Sequence, residues 1–210
     1  KDMEVVTEKK MTVTMVMDEW TADNLAMMLL GDVTTDVDGN KVICDVGRHE
    51  YMWRESMNDF APSYLYRWEF DLATGKVSER QLDDVSHGFP RVDDRTVGLR
   101  NRYGWAVGQR PGADSSFDAA GVVLNYGLGR GTSSVHDLGP AAQPGEFVFA
   151  QASDSAAEDE GYAIGFVYDK ARDASDLVIL DATDMSKAPV AKIHMPRRVP
   201  HGFHGSWIRG

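Results

Sequence analysis

The sequence predicts an all-β chain. Three observations predict it. Short apolar stretches with strand-like patterning recur along the chain. Clusters of Gly, Asp and Asn break them at close intervals. Only one stretch carries a convincing helical signature. Strands this short and this often interrupted point to a sandwich, a barrel or a propeller.

The elements follow in order. "MTVTMVM" (11–17) alternates polar and apolar residues, as a half-buried strand does. "TADNLAMMLLG" (21–31) is the helix: Thr21 caps its start, Asp23 favours its first turn and Gly31 stops it. "DVDGNKVICDV" (36–46) pairs an Asp-Gly turn with a strand. "YLYRWEFDLATGKVSERQL" (64–82) reads as two strands joined at "ATGK". "YGWAVGQ", "AAGVVLNYGL", "GEFVFAQ", "GYAIGFVYD", "SDLVILDA" and "PVAKIHM" are further strands. "SDSAAEDEG" (153–161) reads as a solvated acidic loop. The methionine-rich start differs in character from the rest. The expected division is therefore an N-terminal strand-helix segment over 1–35 and a β-sheet part over 36–210.

Bulk properties exclude several function classes. The net charge of −11 disfavours a nucleic-acid duplex, whose phosphates need a basic face. The longest apolar runs, "LAMMLL" and "LVIL", are too short for a transmembrane segment. The single cysteine, Cys44, forms no internal disulfide, which suits the cytoplasm. The charged first ten residues do not read as a secretory signal. A chain of 210 residues beginning with Lys1 reads as one domain, or as a fragment or processed product.

Candidate chemistry is sparse. There is no G-x-S-x-G elbow and no phosphate-binding loop, and "NYGLGRG" opens no helix, so it reads as a turn. Cys44, in an apolar strand, reads as a small buried hydrophobe. His49 lies between charges and reads as exposed. His136, in "SSVHDLG", reads as a local hydrogen-bonding residue in a turn. His194, at an alternate position of "AKIHMP", reads as solvent-facing. "PRRVPHGFHGSW" (196–207) holds His201 and His204 in a stiff terminal stretch. It is either part of a metal site or a loop that closes the fold.

The ordered motifs from about residue 38 onward decide between these. "DGNKVICDVGRHEYMW", "LYRWEFDLATGKVSERQLDD", "FPRVDDRTVGLRNRYGWA", "GEFVFAQ", "AEDEGYAIGFVYD", "SDLVILDA" and "RVPHGFHGSW" follow one another. The set resembles the C-terminal part of the carotenoid cleavage oxygenase family, which includes bacterial lignostilbene dioxygenases. The resemblance implies a seven-bladed β-propeller with Fe(II) on its axis, held by four histidines. It implies O₂-dependent splitting of a C=C bond in an apolar polyene or stilbenoid, giving two carbonyl products. The last iron ligand is the histidine of the terminal "FHG", here His204; His201 falls on a non-ligand position. Family glutamates accept hydrogen bonds from the ligating histidines, and the one in "EDxG" corresponds to Glu158. Trp53, Tyr103, Trp105 and Trp207 either line a substrate tunnel or, by preference, sit in the core.

The pattern also breaks. Gly88 stands before "FPR" where the family has a glutamate, with His87 one residue away as a substitute. "LLGDVTTDVDGN" (29–40) lacks the expected "FHxxNA" histidine. One of four ligands is thus expected here. A blade takes roughly 40–50 residues, so the matching part supplies about half a ring, a partial β-propeller. Such a piece leaves an open edge through which it can associate. Two other readings follow. One is a truncated, non-catalytic remnant that acts as a binding protein. The other rests on residues 10–32, which resemble a segment of phage tail-tube proteins and suggest a self-assembling structural chain.

Overall fold

The computed structural model describes residues 2–6, 12–16, 32–35, 40–51, 55, 61–110, 120–200, 202 and 204–208. The predicted helix over 21–31, Trp53 and His201 lie outside the described residues. So does most of the tail-tube-like stretch.

Three four-stranded sheets follow one another along the chain, and each runs β-strand to neighbouring β-strand without a crossover. The first holds β3 (Asp32–Thr35), β4 (Lys41–His49), β5 (Ser63–Asp71) and β6 (Val77–Gln81). The second holds β7 (His87–Arg91), β8 (Tyr103–Gln109), β9 (Ala120–Gly127) and β10 (Thr132–Asp137). The third holds β11 (Ala142–Gln151), β12 (Gly161–Asp169), β13 (Ala174–Asp181) and β14 (Ala191–His194). A separate ribbon pairs β1 (Asp2–Val6) with β2 (Thr12–Val16). β3 lies on the N-terminal side of the division expected at residue 35, yet it pairs with β4. Every pairing is antiparallel, so short turns suffice to connect the strands. At the expected "ATGK" turn, Asp71 Oδ1 accepts from the Ala73 and Thr74 amides at 3.0 and 2.9 Å. Gly75 there takes φ +70°, which a side chain would resist.

The sheets pack face to face as adjacent blades of a partial propeller. The middle sheet is covered on both sides, so β8 is buried without alternation, from Gly104 through Gly108. Trp105, Val107 and Val123 face the third sheet and meet Phe147, Phe149, Ala163, Val178 and Leu180. The Trp105 ring stacks on Phe149 with centroids 4.6 Å apart. Ala106, Val122, Leu124 and Tyr126 face the first sheet and meet Leu65. The last strands are largely exposed: β6 is exposed throughout and carries Glu79 and Arg80, and β14 carries Lys192. Charge on a free edge discourages further strand addition.

Two buried groups give testable consequences. Cys44 is fully buried in β4, and burial, with the neighbouring Asp45 charge, pushes its thiol up to about 12. We expect it to be inert to thiol reagents at pH 8 in the folded chain and to react fully in urea, read by thiol titration. His87 is buried beside Tyr126, ring centroids 5.8 Å apart, and burial lowers its pKa from 6.5 to about 4. As pH falls, the unfolded chain therefore takes up this proton first. The contribution is full above pH 6.5 and is lost between pH 6.5 and about 4, by on the order of 3 kcal/mol. Urea unfolding at pH 7.5 and pH 4.5 should show this loss, and His87→Phe should shrink it.

Candidate functional site

The terminal segment is fastened before it reaches the site. The Met195 amide donates to the Ser175 carbonyl at 2.9 Å, and the Val199 amide to Ser175 Oγ at 2.9 Å. The Arg198 guanidinium lies 4.5 Å from the Tyr168 ring centroid. The segment then crosses to the first strands of the second and third sheets, where His204 sits.

Two β-bulges shape that place. In β11, Pro144 pairs with Val167 but Phe147 with Gly165, one residue too many on the β11 side. Pro144 has no amide to give the ladder, and Gly145 beside it tolerates the bend. The bulge sets Glu146 beneath the terminal segment. Its carboxyl is 5% exposed. Oε2 accepts from the Gly205 amide at 2.6 Å, Oε1 lies 3.0 Å from His204 Nδ1, and Arg91 Nη1 donates to Oε1 at 3.5 Å. Arg91 Nη1 also donates to the Gly205 carbonyl at 3.1 Å. In β7 the register shifts by one residue between Gly88 and Arg91. Phe89, inside that bulge, has φ +53°, a costly conformation for a bulky residue. Its ring meets the His204 imidazole edge-on, centroids 5.9 Å apart.

This arrangement settles the His204 tautomer. An ionised carboxylate only accepts, so Nδ1 carries the proton toward Glu146. In the neutral imidazole Nε2 then keeps its lone pair, and the side chain is 64% exposed. That is the state in which a histidine ligates a metal, with a carboxylate orienting it from behind. The residues present therefore fit one ligand of a metal centre. Among the described residues no group of three His, Cys, Asp or Glu converges to complete it.

The other singled-out residues fall elsewhere. Glu158, expected to orient an iron histidine, has a carboxyl 8% exposed that is engaged with β8. Oε1 accepts from the Arg102 and Tyr103 amides, and Oε2 from Arg102 Nε at 2.8 Å. It clamps the 152–160 loop to the second sheet; the carboxylate on His204 is Glu146. Sequence reading took "GEFVFAQ" as a plain strand and missed Glu146. The available signal was Pro-Gly ahead of a lone charge in an apolar strand. His49 is half-buried, with Nδ1 2.6 Å from the Ala61 carbonyl, not free in solvent. His136 lies in β10, not a turn, and is buried, with Nδ1 3.0 Å from the Met185 carbonyl in the connection between β13 and β14. His194 is exposed, as expected, and bonds Asp176 at 2.7 Å. Gly88 has open space where a side chain would stand. Trp105 is core, Tyr103 packs partly against it, and Trp207 is half-exposed.

Comparison with known proteins gives the family. Residues 10–209 match the family model described as retinal pigment epithelial membrane protein. The chain belongs to this family, the carotenoid oxygenases. The match begins at residue 10, so it takes in most of the N-terminal stretch that the motifs left outside. A carotenoid cleavage oxygenase of Mycobacterium tuberculosis is 35% identical over 175 residues, 79% of this chain and 34% of that protein. Lignostilbene-alpha,beta-dioxygenase isozyme III of Sphingomonas paucimobilis is 32% identical over 157 residues, 70% of this chain and 32% of that one. The chain thus spans about a third of the length of the curated relatives it matches. Cobalt-substituted Synechocystis apocarotenoid oxygenase superposes with a TM-score of 0.78 at 23% identity, covering 86% of this chain and 39% of that one. This likeness supports the partial-propeller fold. Among the described residues no helix is long and apolar enough to cross a membrane.

Proposed function

We propose that this carotenoid oxygenase chain forms part of an Fe(II)-dependent dioxygenase that cleaves a C=C bond of a carotenoid, apocarotenoid or stilbenoid to carbonyl products. The observation that carries the reading is the His204–Glu146 pair: an imidazole with its proton held inward by a buried carboxylate and its Nε2 outward. His204 would hold the iron, which when bound supplies the activation of O₂. Glu146 fixes the ring's tautomer and orientation. Arg91 braces Glu146 and the backbone at Gly205, so the ring is held from two sides. Phe89 packs edge-on against the ring, centroids 5.9 Å apart. The names of the relatives, a carotenoid cleavage oxygenase and a lignostilbene dioxygenase, support the substrate class. A cytoplasmic location belongs to the same proposal and rests on the single, buried Cys44.

A second reading has its own observation. Among the described residues His204 has no companion ligands, and the chain spans a third of its relatives' length. Alone, it would then be a non-catalytic piece that associates through an open propeller edge. One experiment separates the two. The chain is loaded anaerobically with Fe(II), desalted, assayed for iron, and then given an apocarotenal or a stilbene under ¹⁸O₂. Retained iron and labelled aldehyde, both lost in His204→Ala, support the oxygenase. Retained iron that is unchanged in His204→Ala contradicts the ligand assignment. Absence of iron and product from the parent chain supports the non-catalytic piece.

A further inference from the structure

The terminal segment carries His204 as a strap pinned at two places. Ser175, near the start of β13 and 1% exposed, makes the first pin. Its carbonyl accepts from the Met195 amide at 2.9 Å, its amide donates to the Arg197 carbonyl at 3.3 Å, and its Oγ accepts from the Val199 amide at 2.9 Å. The second pin is Glu146, which accepts from the Gly205 amide at 2.6 Å and lies 3.0 Å from His204 Nδ1. Between the pins the strap bridges a hollow of about 250 Å³. Pro200 and Gly202 line it on the strap side, Phe166 and Tyr168 on the sheet side. The pins therefore set the course of the strap. Pro200 has a fixed φ and restricts Val199 before it, so a direction given to Val199 carries forward along the strap.

The three bonds of Ser175 are not equivalent. Those to Met195 and Arg197 use its backbone and would form with another residue in its place. The bond to Val199 needs the hydroxyl, at a position so buried that an apolar side chain would be the ordinary choice. We propose that Ser175 is a positioning residue for His204: its hydroxyl fixes where the strap leaves the third sheet, and so holds the imidazole in line with Glu146. This role rests on the reading of His204 as an iron ligand. Ser175 acts only through the strap, since its bonds run to Met195, Arg197 and Val199. Without the hydroxyl the Val199 amide loses its acceptor, and a smaller fraction of chains presents the ring to Glu146. Apparent metal affinity falls with that fraction.

The test uses the whole chain and two variants that break one bond from its two sides. Ser175→Ala removes the acceptor and Val199→Pro removes the donor. Without metal, ¹⁵N shifts of the His204 ring at pH 8 report its tautomer. The parent should show the proton on Nδ1, and both variants should lose that preference. With metal, anaerobic Fe(II) titration should show affinity lowered roughly 2- to 30-fold in both, the range for residues that touch neither partner of a coupled pair. A purely structural Ser175 would lower the unfolding midpoint and leave the tautomer and the affinity at parent values, which overturns the proposal. The two readings fail separately. If the parent takes up no iron through His204, the ligand reading falls, and the metal-free tautomer still decides whether Ser175 positions the ring. Should Val199→Pro fail to fold, Ser175→Ala, which only shortens a side chain, decides alone.

Discussion

Phe147→Ala should be the most damaging single truncation in the fold, costing about 3–5 kcal/mol. Phe147 is fully buried at the joint between the second and third sheets. Its ring lies over Gly165 on the paired strand β12, where a Cβ would come within 2.4 Å of Phe147 Cδ2. The ring and the missing side chain therefore belong together. Gly165→Ala should itself cost about 1–3 kcal/mol by overpacking. Phe147→Leu with Gly165→Ala should cost less than the two changes summed, since the smaller side chain makes room. Urea unfolding of the four chains measures this. Strict additivity would mean that the ring does not fill the space above Gly165. A loss of 3–5 kcal/mol is a large share of a typical domain's stability, so Phe147→Ala should also lower the unfolding temperature strongly.

The second large effect concerns Glu146. Glu146→Ala removes the acceptor of His204 Nδ1 and of the Gly205 amide in one step. Removing such an orienting partner typically weakens metal binding 10–100-fold. We expect a drop of that size in Fe(II) affinity at His204, read by metal titration. Glu146→Gln keeps an acceptor for Gly205 but loses the charge, and should fall between the parent and Glu146→Ala. Glu158→Gln should leave Fe(II) binding unchanged and loosen the 152–160 loop, because its bonds run to Arg102 and Tyr103. A larger metal effect for Glu158→Gln than for Glu146→Gln would reverse the two roles.

Much of the fold is legible in the residues. β4, β5, β8, β9, β11, β12 and β13 are long and apolar enough to announce themselves, and the turn at Asp71–Gly75 carries its own chemistry. β7 and β10 are not legible. "HGFPR" contains Pro and Gly, and "TSSVHD" is mostly polar; only pairing with β8 and β9 makes them strands. His136 was misread for that reason: its partner, the Met185 carbonyl, lies 49 residues away. His204 was singled out through its motif. Glu146 was not, because a bulge aims it at a residue 58 positions on, and no local pattern records such a contact. Glu158 was singled out by its motif, not by its contacts. Its motif is recognisable, but its partners at 102 and 103 sit on another sheet.

The most direct test of the ligand role of His204 needs no turnover. Fe(II) is titrated anaerobically into the ¹⁵N-labelled chain and paramagnetic broadening is followed by amide NMR. Broadening that begins at Gly205 and Glu146, spreads outward with added metal and vanishes in His204→Ala is the expected result. Broadening centred on the acidic 153–161 loop, or unchanged in His204→Ala, would contradict a metal-binding role for His204.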